Sequence, residues 1–246
     1  MPRILTYNVH RCLGTDRRID VDRIADVIAA EAPDIVVLQE VDVGRVRTGG
    51  VDQAHELAQR LGMASRFNAA LKVEEELYGD AILTALPERL LKAAPLPGYG
   101  RIPQLEPRGA LWVAIELDGG REVQVINTHL GLVPREQQLQ AAALAGAEWL
   151  ASPLRRDPLI LLGDLNATSA TVVYRTLAAK LTDARTIALH RRGRQAAFPS
   201  AMPVLRIDHV FVSGGIRVTQ MRVPFNRLTR QASDHLPLVI DFELAA

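Results

Sequence analysis

The sequence predicts a mixed α/β fold in which two packed β-sheets carry helices on their outer faces. Three observations support that expectation. The apolar pattern switches repeatedly between period 2 and period 3.6, strands outnumber helices, and the helices fall singly between strands. No linker-like shift in composition and no fixed-period repeat interrupts the 246 residues, so one domain over residues 1–246 is expected.

The elements follow in order. Residues 4–9 alternate as a strand. Asp20 caps a helix that carries Val21, Ile24, Val27 and Ile28 on one face, and Pro33 ends it. Residues 34–40 (DIVVLQE) read as a buried strand. Asp52 caps a second helix, with Leu57 and Leu61 inward and Gly62 at its end. Strand-like pieces lie at 67–71 and 81–85. Leu111, Val113, Ile115 and Leu117 share one strand face, Asp118-Gly119-Gly120 makes a hairpin turn, and Val123 and Val125 continue the alternation to His129. Pro134 opens the longest helix, expected to reach residue 150. Residues 158–163 form another buried strand, and two last strands are expected at 205–212 and 236–244. The least structured stretch is 185–202.

Composition narrows the function classes. Hydrophobic residues at 48% and charged residues at 23% exclude a disordered chain. A single cysteine, Cys12, excludes a disulfide scaffold and suits a reducing compartment. Lys and Arg number 29 against 28 Asp and Glu, so broad coating of a polynucleotide is not expected, while a local basic groove remains compatible. Aromatic residues at 4% argue against an extended base-stacking platform. All basic residues but Lys72, Lys92 and Lys180 are arginine, which suits fixed contacts to carboxylate or phosphate. No apolar run approaches the roughly 18–20 residues of a membrane span, and no apolar leader opens the sequence. A cytoplasmic protein is expected.

Polar groups gather where apolar strands end. Asn8 and His10 are two apart and share a strand face. Glu40 ends DIVVLQE, Asn127 and His129 end the strand after the hairpin, and Asp164 and Asn166 end LILLGDLN. Asp208 interrupts RIDHVFV, and Asp234-His235 precede the last strand. Taken singly, each is ordinarily a cap or a loop start. Separate elements that all end this way point to one pocket at one end of the sheets, because a buried carboxylate must be paired or metal-bound. Carboxylate and amide oxygens without a cysteine cluster suit a hard cation, Mg²⁺, Mn²⁺ or Ca²⁺, whereas no HExxH or CxxC spacing offers a zinc site. Histidines near carboxylates suit proton transfer around neutral pH, and with arginine the set describes hydrolysis at phosphorus. The sequence contains neither GxxxxGK[ST] nor GxSxG, which excludes a P-loop and a serine nucleophile elbow.

Eight stretches resemble, in order, the motifs of the endonuclease/exonuclease/phosphatase superfamily: TYNVH (6–10), LQEVD (38–42), YGDAIL (78–83), PRGAL (107–111), NTHLG (127–131), GDLN (163–166), RIDHVF (206–211) and SDHLP (233–237). The resemblance implies a four-layered, deoxyribonuclease I-like α/β sandwich and a phosphoesterase that uses Mg²⁺ (or Mn²⁺). It implies Glu40 as principal metal ligand, helped by Asn8 and Asp234, and a pair in which Asp208 orients His235. Asp164 and Asn166 would position the attacking water and a phosphate oxygen, His129 would hydrogen-bond the phosphate, and Arg108 would hold phosphate or a nearby carboxylate. Whether His235 or Asp164 is the base stays open. The Asn127-Thr128-His129 form resembles the deoxyribonuclease, sphingomyelinase, inositol-phosphatase and deadenylase members more than the abasic-site endonucleases. The expected partner is a phosphodiester, in nucleic acid or a phospholipid head group, with no obligate protein partner. A phosphomonoesterase on a small sugar or inositol phosphate, and a non-catalytic binding module, are the alternatives.

Two departures from the family pattern bear on specificity. Asp80 stands where many relatives carry Asn, and a carboxylate there would repel phosphate unless it meets the metal or an arginine. His10 follows Asn8 at a variable position, either as an outer contact to metal or phosphate or as a pocket-wall histidine with one backbone hydrogen bond. Residues His190-Arg191-Arg192-Gly193-Arg194 read as a substrate clamp or as a solvated loop. His55 is expected at the surface, His209 in a structural role opposite Asp208, and Cys12 inert. Glu74-Glu75-Glu76 reads as a solvated turn, with support of His129 by one of them as the alternative. The pocket rim is expected from 43–51, 95–107 and 185–202.

Overall fold

The computed structural model describes residues 1–102 and 104–245. One sheet has seven strands: β1 (Arg3–Asn8), β2 (Ile35–Val43), β3 (Ala64–Val73), β4 (Glu76–Thr84), β10 (His190–Gly193), β12 (Ile216–Val223) and β13 (Leu238–Leu244), in the order β10-β12-β13-β1-β2-β4-β3. The other has six: β5 (Glu88–Pro95), β6 (Gly109–Leu117), β7 (Arg121–His129), β8 (Leu159–Asp164), β9 (Thr182–Asp183) and β11 (Asp208–Val212), in the order β5-β6-β7-β8-β11-β9. Both are mixed: β1 pairs parallel with β2 and antiparallel with β13, and β8 pairs parallel with β7 and antiparallel with β11. The helices are α1 (Val21–Ala29), α2 (Gln53–Leu61), α3 (Pro134–Ala145), α4 (Val172–Ala178), α5 (Ala184–Ile187) and α6 (Arg227–Ala232).

Strand alternation sorts the side chains into three cores. Ile4, Ile35, Val37, Val113, Val125, Ile160, Leu162 and Val210 pack between the sheets. Their neighbours Leu5, Val36 and Leu38 face the other way, onto Ile24, Val27 and Ile28 of α1 and Leu57 of α2. On the far side, Trp112, Ile126, Leu161 and Phe211 meet Ala141 and Leu144 of α3 and Val173 and Leu177 of α4. The layers therefore run helix, sheet, sheet, helix, the expected sandwich. The caps also match: the Asp20 carboxylate accepts from the Arg23 N–H, that of Asp52 from the His55 N–H, and Gly62 takes the left-handed conformation after α2.

Several expectations need correction. Helix α3 ends at Ala145, not at 150, because the chain turns at Gly146 and folds Trp149 and Leu150 into the outer core beside Trp112. The stretch 185–202 is not unstructured: it holds α5, and its basic run is β10, an exposed edge strand parallel to β12. Four further elements carried no strong pattern. These are β5, an edge strand with a register shift, β12, whose alternation breaks at a bulge between Val218 and Gln220, and the short helices α4 and α6.

His209, on the outward face of β11, is fully buried, and its Nε2 donates to the Ala167 carbonyl at 2.8 Å. Burial, reinforced by the charge of Arg206, pushes its pKa down from 6.5 to about 4. The unfolded chain thus takes up a proton that the folded chain refuses, so stability present above pH 6.5 is lost as the pH falls toward 4. The expected loss from this residue is roughly 3 kcal/mol. Thermal unfolding of His209→Gln, measured between pH 7 and 4, should show a shallower fall in Tm than the unaltered protein; equal slopes would remove His209 as a cause.

Candidate active site

The gap between the sheets changes character along its length. On β8 the inward residues are Ile160, Leu162 and then Asp164; on β11 they are Val212, Val210 and then Asp208; on β7 they are Val123, Val125, Asn127 and then His129. Register brings these ends together, since Asp164 lies opposite both His129 and Asp208. In the facing sheet, β1 runs Ile4, Thr6 and then Asn8, and β2 runs Ile35, Val37 and then Gln39. Glu40 would point outward by simple alternation. A register shift between Leu38 and Val41, with Glu40 at φ 58°, re-aims its side chain into the gap.

The two sheets are joined by hydrogen bonds at this end. Asn8 Nδ2 donates to Glu40 Oε1 at 2.9 Å and to Asp164 Oδ2 at 3.0 Å, while Asn8 Oδ1 accepts from the His10 N–H. Gln39 Nε2 donates to Asn127 Oδ1 at 2.8 Å, and Asn127 Nδ2 donates back to the carbonyls of Leu38 and Ala81. Each buried amide is satisfied by its counterpart across the gap.

The two histidines of the site are held in opposite states. His235 Nδ1 lies 3.0 Å from Asp208 Oδ2, and its Nε2 is 3.5 Å from Asp164 Oδ2. Burial disfavours the imidazolium, but Asp208, Asp164 and Asp234 outweigh it and push the pKa up to about 10. His129 Nδ1 lies 3.1 Å from Arg108 Nη1. A guanidinium cannot accept, so Nδ1 accepts and the proton sits on Nε2. That atom faces Asp164 Oδ2 at 3.7 Å and Glu40 Oε1 at 3.9 Å, while the Asn166 amide nitrogen near it donates instead to the Leu130 carbonyl. Burial and the charge of Arg108 keep His129 neutral, with its pKa well below the usual range.

Arg108 is itself buried. All of its protein hydrogen bonds leave from Nη1, to Glu106, Tyr78 and His129; among the described residues Nε and Nη2 make none. Asp164 is 1% exposed, and burial together with Asp208 pushes its pKa up to about 7. Asp80 is buried beside this group, and its carboxylate takes no hydrogen bond among the described residues. Burial pushes its pKa well above the usual carboxylate range, opposed by Arg108 and aided by Glu40 and Asp164. That upward push favours the neutral form of Asp80 and so lessens the expected repulsion of phosphate.

The structure thus gathers Asn8, Glu40, Arg108, His129, Asp164, Asn166, Asp208 and His235 at one end of the gap. Asp234 and His10 sit further out, with Asp234 half exposed and its Oδ1 3.5 Å from His10 Nδ1. Among the described residues no arginine or lysine pairs with Glu40, Asp164 or Asp208. An oxygen-rich cluster short of positive charge is the environment a hard divalent cation fits. Glu40 could hold one, with help from Asp234 and Asn8 directly or through water; Asn8 turns its N–H groups toward Glu40 and Asp164 and its oxygen toward the His10 N–H. Asp164, Asp208 and His235 also offer ligand atoms within 4.8 Å of one another, but His235 would first have to give up the proton that the carboxylates hold on it.

The model of the Endonuclease/Exonuclease/phosphatase family matches residues 5–235. The chain belongs to this family. An endonuclease/exonuclease/phosphatase from Beutenbergia cavernae is 26% identical with a TM-score of 0.74, covering 100% of this chain and 72% of its own. A mannosyl-6-phosphatase from Bacteroides thetaiotaomicron superposes with a TM-score of 0.79 at 19% identity, over 99% of this chain and 100% of its own. The human Nocturnin catalytic domain, with bound sulfate, gives 0.71 at 21% identity, over 99% and 94%. No curated protein matches the sequence. Family members are hydrolases of phosphate esters, generally with a divalent metal, and the deoxyribonuclease I-like sandwich is shared with these neighbours.

Other expectations meet the structure here. Glu76 does not support His129; it pairs with Arg45 at 3.2 Å, while Glu74 and Glu75 form the β3–β4 turn. His55 is exposed and Cys12 fully buried, with its thiol pushed up by burial. Each rim segment touches the site. Arg47 lies over the Tyr78 ring, Glu106 binds Arg108, and the Phe198 ring packs 4.7 Å from that of His235. Tyr78 opens the YGDAIL stretch, yet the letters give no hint of its role, which is to accept a hydrogen bond from Arg108 Nη1 at 3.3 Å.

In protein labelled with ¹⁵N-histidine, His129 should remain the neutral Nε2–H tautomer as the pH falls through about 6.5. Arg108→Met should raise its titration midpoint and release the Nδ1–H tautomer. A His129 signal that titrates at the ordinary value in the unaltered protein would refute the assignment.

Proposed function

We propose that the chain is a divalent-cation-dependent phosphoesterase that hydrolyses a phosphodiester, in nucleic acid or a phospholipid head group, by in-line attack of water. It would work in the cytoplasm as one domain over residues 1–246, with Mg²⁺ or Mn²⁺ and without an obligate protein partner. The observation that carries this reading is a pair of unlike devices set side by side at one end of the gap. In the Asp208–His235–Asp164 chain an imidazole lies between two carboxylates and can move protons; next to it, Arg108 and neutral His129 present N–H groups for phosphate oxygens.

A bound cation, held by Glu40 with Asn8 and Asp234, would stabilise negative charge on the phosphorane or the leaving oxygen. The other roles belong to the chain. Arg108 Nη2 and His129 Nε2–H donate to the non-bridging oxygens, with Asn166 beside them. Asp164, with its pKa at about 7, accepts the proton of the attacking water, and His235, at about 10, carries the proton for the leaving alkoxide. Asp208 holds His235 in place.

Arg101, in the 95–107 rim segment, favours an anionic polymer or surface over a small neutral ester, whereas Arg47 is committed to the buried Asp42 carboxylate through two hydrogen bonds of 2.7 Å. The test uses bis-p-nitrophenyl phosphate and p-nitrophenyl phosphate with Mg²⁺, Mn²⁺ or EDTA. Diester turnover abolished by EDTA is expected. Monoester-only turnover would replace the reading with a phosphomonoesterase, and no turnover with any metal would replace it with a binding module. His235→Ala should lower turnover of a dinucleotide at least about a hundredfold. It should slow bis-p-nitrophenyl phosphate less, because p-nitrophenolate leaves without a proton. Equal losses on both substrates would move His235 from acid to base.

A further inference from the structure

Beside Arg108 lies a second pocket that the hydrolytic reading does not use. It encloses about 240 Å³ between the loop after β5 and the first turn of α3, lined by Leu96, Tyr99, Ile102, Leu105, Pro107 and Glu136. It adjoins the site through sequence and contact. Pro107 precedes Arg108, and Glu136 packs against Gly131, two residues after His129. A Cβ on Gly131 would collide with the Glu136 carboxylate, so glycine is required for this approach.

Glu136 is the unusual member. It is 2% exposed, yet its carboxylate has no hydrogen-bond or ion-pair partner among the described residues while it lines an open pocket. Its place in the first turn of α3 gives it some stabilisation from the helix dipole. The dipole supplies no hydrogen bond to the carboxylate, whose remaining exposure is to the pocket that Glu136 lines. A buried acceptor aimed into a cavity is satisfied when a ligand N–H or O–H enters.

We infer that this pocket is a nucleoside subsite of the proposed phosphodiesterase, with Glu136 accepting an N–H from the base edge. The walls decide between ligand classes. One acceptor among five apolar or aromatic neighbours suits a flat ring with few polar atoms; a sugar would bury several hydroxyls without partners. A quaternary ammonium head group meets one carboxylate but also Arg108 and, in the groove that shares Tyr99, Arg101 and Arg135. Those two arginines lie where a second phosphate of an oligonucleotide would be attracted. The volume holds one ring-bearing unit and not an acyl chain. Tyr99 supplies a face for stacking, a single contact consistent with the low aromatic content.

The inference rests on the phosphoesterase reading only for its substrate, and the experiment separates the two. Binding of cytidine 5′-monophosphate, adenosine 5′-monophosphate, inorganic phosphate, phosphocholine and mannose 6-phosphate is measured by calorimetry, with bis-p-nitrophenyl phosphate turnover followed in parallel. The nucleotides should bind at least about tenfold tighter than inorganic phosphate, and Glu136→Ala should erase that margin while leaving phosphate affinity and turnover unchanged. Glu136→Gln, which keeps the shape and one acceptor, should retain part of the margin and the Tm. Preference for phosphocholine or mannose 6-phosphate, or a nucleotide margin that survives Glu136→Ala, would overturn the subsite. Absent turnover with the nucleotide margin intact would overturn the catalytic reading and leave the subsite standing.

Discussion

The side-chain amide of Asn8 is the point on which the site depends. Its two N–H groups are shared between Glu40, on its own sheet, and Asp164, on the other. Without a donor between them these carboxylates would face each other in a medium where charge is poorly screened. The bond fixes the spacing of the sheets at this end, and Gln39 with Asn127 repeats the device one step deeper. Below that level the gap is filled with Ile, Val and Leu, which need only shape. The change from apolar filling to reciprocal amide and carboxylate pairing marks where the core ends and the chemistry begins.

Much of this was legible because strand alternation has a period of two. Asn8, His129, Asp164 and Asp208 each continue an inward apolar series, so their convergence follows from pattern and pairing. Glu40 does not follow from that pattern. Its orientation depends on a bulge at a positive φ, which letters do not announce. The same failure hid β12, where a bulge breaks the alternation, and an exposed edge position hid β5 and β10. Glu136 was hidden for another reason. An acid in the first turn of a helix is ordinary in sequence, and only the approach to Gly131 shows that this one is buried.

The two site histidines show how position overrides residue type. His235 touches one carboxylate and lies near two more, so it holds a proton despite its burial. His129 is as deeply buried but touches an arginine instead of a carboxylate, so burial and that charge together make it refuse one. Proton donor and neutral hydrogen-bond donor are thereby assigned within a single cavity, a separation of roles by environment that acid–base enzymes use generally. The division also makes Arg108 more than a phosphate contact, because it selects the tautomer that turns His129 Nε2–H toward the carboxylates.

Much of the backbone strain falls in the same region. Glu40 takes a positive φ at the bulge within β2, Asn166 takes one just after β8, and His10, Arg11 and Cys12 form a short left-handed turn that follows Asn8-Val9; Arg17, Ala32 and Glu74 take a positive φ elsewhere. Non-glycine residues in this conformation cost on the order of 1 kcal/mol or more each. Those at the site are held because their neighbours leave no alternative: Cys12 is fully buried, the His10 N–H is bound by Asn8, and the Asn166 N–H by Asp164 Oδ1 at 2.8 Å. The strained peptides are thus tied to the same side chains that carry the charge. Relaxing any of them would swing a site residue away, so the packed sheets below supply the free energy that keeps the site assembled before a substrate arrives.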